Sequence, residues 1–97
     1  LSPGLFPLHY SPGIPLRVNV KKPKKDEAYL LIKKRKSNLK NYYYLSKVKN
    51  IDEAAKNLYS TLRKIKNDGF KKIAVETIPN KGIGKTINDR LKRASKY

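Results

Sequence analysis

Five of the six prolines in this 97-residue chain fall within residues 1–23. A proline ring fixes φ at about −65° and removes a backbone donor, so neither a regular helix nor a central strand can run through that stretch. Two of the five glycines lie there as well, and the triplet Ser-Pro-Gly occurs at residues 2–4 and again at 11–13. The chain therefore divides by composition into an extended linker over 1–23 and a folded domain over 24–97. Within the linker Ile14, Leu16, Val18 and Val20 alternate with polar or proline positions. That period suits an edge strand, with Pro15 arguing against a central place.

Short apolar runs and helical periods then alternate. Ala28–Ile32 is long enough for a buried strand and too short for a helix. After turn chemistry at Asn38–Asn41, Tyr42–Leu45 is aromatic and β-prone. Asn50 with Glu53 has the spacing of an N-cap and capping box. Ile51, Ala54, Ala55, Leu58, Tyr59, Leu62 and Ile65 recur along one helical face, and Asp68-Gly69 supplies the stop. Phe70 and Ile73–Ile78 predict a strand entered directly after that glycine. Pro79–Gly82 turns the chain, and Ile83, Ile87, Leu91 and Ala94 mark a last helix. The order β-β-α-β-α predicts an α/β fold, a small Rossmann-like open sheet flanked by helices and preceded by the proline-rich linker.

Charge is the loudest compositional feature, with 24 Lys+Arg against 7 Asp+Glu, a net +17. Such a surface attracts polyanions through counterion release, which suggests nucleic acid. Yet the bases are mostly lysines spread over every segment, a pattern that a lysine-biased composition also produces, and specific phosphate readers favour arginine forks. Cysteine is absent, which excludes disulfides, thiolate metal sites and a cysteine nucleophile. The one histidine, His9, lacks partners for a zinc site. No apolar run approaches the roughly 20 residues that span a bilayer, and no signal-peptide layout occurs, so a cytoplasmic protein without membrane association is expected. The first residue is Leu1 and methionine is absent, which reads as a fragment of a longer polypeptide.

Few residues carry candidate chemistry. Lys81-Gly82-Ile83-Gly84-Lys85-Thr86 has the tail of a phosphate-binding P-loop between strand and helix, but the glycine that the loop needs five positions earlier is Pro79. A plain glycine turn is the better reading. Asp89 and Arg90 point in different directions on a helix, whereas Arg93 stands four residues from Asp89 and suits a structural ion pair. Glu76 has no second carboxylate placed to support acid–base work. Three adjacent tyrosines, Tyr42 to Tyr44, could stack bases, but a strand would more simply pack them on its two sides. The linker is different: His9 and Tyr10 put an imidazole and a phenol on a proline-stiffened segment that loses little entropy in settling across a cleft.

Ser2-Pro3-Gly4-Leu5 followed by His9-Tyr10-Ser11-Pro12 resembles the linker signature of the long-form threonylcarbamoyl-AMP synthases, the Sua5 family. Pro15-Leu16-Arg17-Val18-Asn19 continues as in some bacterial members. Ile51–Leu62 is similar to a family helix, and Glu76, Pro79, Gly82-Ile83-Gly84, Ile87-Asn88-Asp89-Arg90-Leu91 and Arg93-Ala94 resemble its closing motif. The resemblance implies an enzyme that joins L-threonine, bicarbonate and ATP into threonylcarbamoyl-adenylate and pyrophosphate, for threonylcarbamoyl modification of adenosine in tRNA. It implies that catalysis resides in a YrdC-type domain preceding Leu1, that no catalytic residue lies in this chain, and that the chain itself holds no metal or cofactor. ATP, with Mg, is the substrate of the full enzyme. Ser2, Pro3, Gly4, His9 and Tyr10 would be the nucleotide-binding contacts of a linker lid, with Phe6-Pro7-Leu8 standing where some members carry Lys-Tyr-Arg. The isolated chain is expected to be inactive.

Two rivals come from other classes. One is a basic tRNA- or RNA-binding module without catalysis, for which a steep fall of affinity with salt would speak. The other is a domain that serves chiefly as an interaction or dimerisation surface.

Overall fold

The structure, a computed structural model, describes residues 13–33, 40–47 and 50–95. Strand β1 is Leu16–Arg17, β2 Ala28–Lys33, β3 Tyr42–Ser46 and β4 Ile73–Val75; helix α1 is Ile51–Asn67 and α2 Ile83–Ala94. The four strands form one parallel sheet in the order β1-β4-β2-β3. This is the α/β sheet flanked by two helices that the pattern of elements predicted.

The strand sequences explain the layering. Leu30 and Ile32 of β2, Tyr43 and Leu45 of β3, Ile73 and Val75 of β4 and Leu16 of β1 fall in one cluster with Ala54, Leu58, Leu62 and Ile65 of α1 and Ile87, Leu91 and Ala94 of α2. Both helices thus lie on the same face of the sheet. The alternate residues Tyr29, Leu31 and Ala74 form a second cluster on the other face, joined by Val20 and flanked by Tyr42 and Tyr44. A strand buried on both faces reads as a continuous apolar run rather than an alternation, which is why Ala28–Ile32 looks as it does. The three tyrosines divide between the faces as strand packing requires.

Helix α1 starts and stops where its sequence signals stand. The Asn50 side chain accepts a hydrogen bond from the Glu53 N–H at 3.1 Å. The reciprocal half of the expected capping box is replaced: the Asn50 N–H donates to Ser46 Oγ, and the Glu53 carboxylate accepts from the Lys47 N–H. At the other end Gly69 adopts φ 97°, its N–H donates to the Lys66 carbonyl and the Phe70 N–H to the Ile65 carbonyl. These two bonds are a Schellman motif, and only glycine takes that backbone conformation without a Cβ penalty. Phe70, expected in the following strand, instead sets its ring edge against Tyr43 at 5.9 Å.

Two expectations change in detail. The alternation Ile14, Leu16, Val18, Val20 breaks at Val18, which is 42% exposed while the other three are buried. Asn19 adopts φ 59°, a left-handed conformation that asparagine tolerates better than most residues, and this reverses the chain so that Val20 enters from the opposite face. β1 is nevertheless the edge strand that the period predicted, and Ile14, Leu16 and Val20 are part of the packed body. The last strand ends at Val75 rather than Ile78. Beyond it the Glu76 N–H donates to the Leu30 carbonyl and the Glu76 carboxylate accepts the Ile32 N–H at 2.6 Å, so a side chain takes over the ladder where the backbone leaves it.

Candidate functional site

The five residues that the linker signature singles out, Ser2, Pro3, Gly4, His9 and Tyr10, lie outside the described residues. What the structure does describe is the closing motif and its surroundings, and there the polar residues serve the fold. Asn88 donates from Nδ2 to the Ile78 carbonyl at 2.9 Å, pinning α2 to the loop that leaves β4. Asp89 and Arg93 form the expected i,i+4 ion pair at 3.3 Å on the exposed side of α2. The Arg90 guanidinium sits 5.8 Å from the centre of the Tyr59 ring and ties α2 to α1.

The glycine turn is built for close approach, not for cradling phosphate. A Cβ on Gly84 would stand 2.1 Å from the Pro79 carbonyl oxygen, so the first turn of α2 packs directly on the loop. Gly82 adopts φ 54° at the helix start, and no side chain caps the helix. The Gly84 and Lys85 N–H groups donate to the Lys81 and Gly82 carbonyls, which commits two of the donors that a phosphate loop would offer. This agrees with the turn reading.

Two charged features escaped the sequence. Glu27 is 3% exposed, and its carboxylate accepts from Arg17 Nε and Nη2, both at 2.6 Å, and from the Lys24 N–H at 2.8 Å. The Arg17 hydrogen bonds, followed by the Lys24 N–H and the neighbouring positive charges, outweigh desolvation and hold this carboxyl well down, at about 2. Near the start of β3, burial pushes the Tyr43 phenol up, and its hydroxyl donates to Asp68 Oδ2 at 2.6 Å. That hydrogen bond is the largest cause of the lowered Asp68 carboxyl, helped by Lys64. Glu76 likewise bonds backbone rather than a second acid. Ion pairing ten residues apart, across a turn, has no local sequence signature that could have shown the Arg17–Glu27 pair.

Among the described residues no three His, Cys, Asp or Glu side chains converge on a point where a metal ion could bind. No helix among them is long and apolar enough to cross a membrane. Among the described residues a crevice of about 720 Å³ lies between those that follow β1 and those that follow β4, with one side of α2 as its third wall.

Comparison with known proteins supplies what the body's geometry does not. Residues 1–96 match the family model described as threonylcarbamoyl-AMP synthase, C-terminal domain. The chain belongs to this family. The match includes the linker residues together with the α/β body. Among solved structures the chain is similar to P. abyssi Sua5 complexed with L-threonine, at 25% identity and a TM-score of 0.66 over 92% of this chain. The chain spans 30% of that structure's length. No functionally curated protein matches it.

Proposed function

We propose that this chain is the linker and accessory domain of a threonylcarbamoyl-AMP synthase, acting with a YrdC-type domain that carries the chemistry. The observation that carries the reading is the family match over residues 1–96, which takes in Ser2-Pro3-Gly4 and His9-Tyr10 as well as the body. The body supports it in a negative way: the acidic groups set aside as catalytic candidates, Glu76 and Asp89, are engaged in structural contacts.

In this reading L-threonine, bicarbonate and ATP become threonylcarbamoyl-adenylate, pyrophosphate and water in the catalytic domain, and the adenylate feeds tRNA modification. The product is a reactive mixed anhydride. A segment that closes over it excludes competing water, and prolines make closure cheaper in entropy. His9 and Tyr10 contact the nucleotide or its triphosphate, and Ser2–Gly4 set the turn that lets them arrive. The Mg expected with ATP belongs with the triphosphate. The body anchors the linker: residues 13–20 run directly into β1 and the core, so the lid is tethered at a fixed edge of the sheet.

The test is a truncation. In a polypeptide that joins a YrdC-type domain to this chain, removal of residues 1–12 should depress threonine-dependent pyrophosphate release, and unchanged turnover would sink the lid assignment.

A further inference from the structure

We infer that the crevice between the exits of β1 and β4 binds a small organic phosphate of about mononucleotide size. This site lies wholly in the α/β body, apart from the lid.

Topology comes first. β1 and β4 are adjacent and parallel, and their exits diverge. The chain leaving β1 crosses to the tyrosine-bearing face: Val20 packs with Tyr29, Leu31 and Ala74, its N–H donates to the Val75 carbonyl at 2.9 Å, and its carbonyl accepts from the Tyr29 hydroxyl. The chain leaving β4 goes the other way, into α2 on the helix-covered face. Where neighbouring parallel strands send their connections to opposite faces, a gap opens at their carboxyl ends, and open α/β sheets bind ligands there. The crevice occupies that gap. Its volume of about 720 Å³ falls in the range of roughly 300–1,000 Å³ typical of small-molecule sites.

The lining then selects the ligand. Lys92 lines the crevice and takes part in no salt bridge among the described residues. The other cation, Arg17, is committed to Glu27. No carboxylate stands among the described lining residues, while Thr77, Asn80 and Asn19 bring a hydroxyl and two amides. A lone positive charge among neutral hydrogen-bonding groups favours an anion with several acceptor oxygens. Val18 adds an apolar ledge beside Pro79; its 42% exposure is surface that strand periodicity would have buried. The left-handed Asn19 next to it turns the chain so that Val18 stays on the rim of the crevice. Charged, polar and apolar parts together suit a phosphate ester on a sugar-like skeleton better than a bare ion.

The experiment is a titration of the ¹⁵N-labelled 97-residue chain with AMP, and separately with inorganic phosphate, followed by amide shifts. AMP should move the amides of Val18, Asn19, Thr77, Ile78, Asn80 and Lys92–Ser95 saturably. Lys92→Gln should weaken binding about tenfold, as loss of one charge-assisted hydrogen bond does, and Thr77→Val by a smaller factor. Both residues are exposed, so their variants should retain the wild-type spectrum. Absence of a saturable shift would overturn the inference. So would AMP and phosphate moving the same lysine-rich turns at 21–25 and 71–72 in place of the crevice, since that is general attraction to a +17 surface.

Discussion

Glu27→Gln should destabilise the chain at neutral pH and remove much of its sensitivity to acid. In the folded state the Glu27 carboxyl is held at about 2, against an ordinary value of 4.5, chiefly by the two hydrogen bonds from Arg17. At about 1.4 kcal/mol per pH unit that difference corresponds to roughly 3 kcal/mol. Arg17 is half exposed, and solvent screens the pair, so about 2 kcal/mol is the expected effect. The sign follows from linkage. A carboxyl depressed by folding contributes its full stabilisation above about 4.5, and loses it as pH falls toward about 2. The wild-type minus Glu27→Gln difference should therefore be flat at neutral pH and shrink through that acid window. Urea unfolding followed by far-UV circular dichroism at a series of pH values measures it. A difference that stays constant with pH, or one below about 0.5 kcal/mol at neutral pH, a size typical of exposed surface pairs, would refute the assignment of this pair as a structural clamp.

Gly84→Ala sets two effects against each other. Alanine is favoured over glycine in a helix by about 1 kcal/mol, but its Cβ would meet the Pro79 carbonyl oxygen at 2.1 Å. The contact should win, lowering stability by about 1–3 kcal/mol in thermal unfolding. Leu58→Ala removes a fully buried side chain between α1 and the sheet and should cost about 2–5 kcal/mol by the same measurement. Asn50→Ala deletes the cap that receives the Glu53 N–H and should cost about 1 kcal/mol, readable as lost helicity and a lower unfolding midpoint.

Local features were legible where local physics decides them. The α1 face, its Asn50 cap and its Gly69 stop depend on residues within a few positions of one another, and the i,i+4 pair of Asp89 and Arg93 does as well. The apolar run of β2 was readable because a strand buried on both sides shows no alternation. Sheet order was not readable. β4 inserts between β1 and β2, a register set by packing across more than forty residues. Val18 and Asn19 defeated a simple period because a single left-handed residue moves the next side chain to the other face. Glu27 and Glu76 look like ordinary surface acids, and only the approach of Arg17 and of the Ile32 N–H gives them structural work. For the linker, the contacts proposed for Ser2, Pro3, Gly4, His9 and Tyr10 rest on the sequence motif, and those positions lie outside the described residues.

An accessory role makes a demand that a self-sufficient enzyme would not: the body must be silent by itself and needed only in company. Threonine-dependent release of pyrophosphate from ATP, in the presence of bicarbonate, measures this directly. It should be run on the 97-residue chain alone and on the same chain joined behind a YrdC-type domain. The account predicts no release from the chain alone and sustained release from the joined polypeptide. Release by the chain alone would contradict it, because the chemistry would then reside in an α/β body whose acidic candidates, Glu76 and Asp89, are engaged in structural contacts.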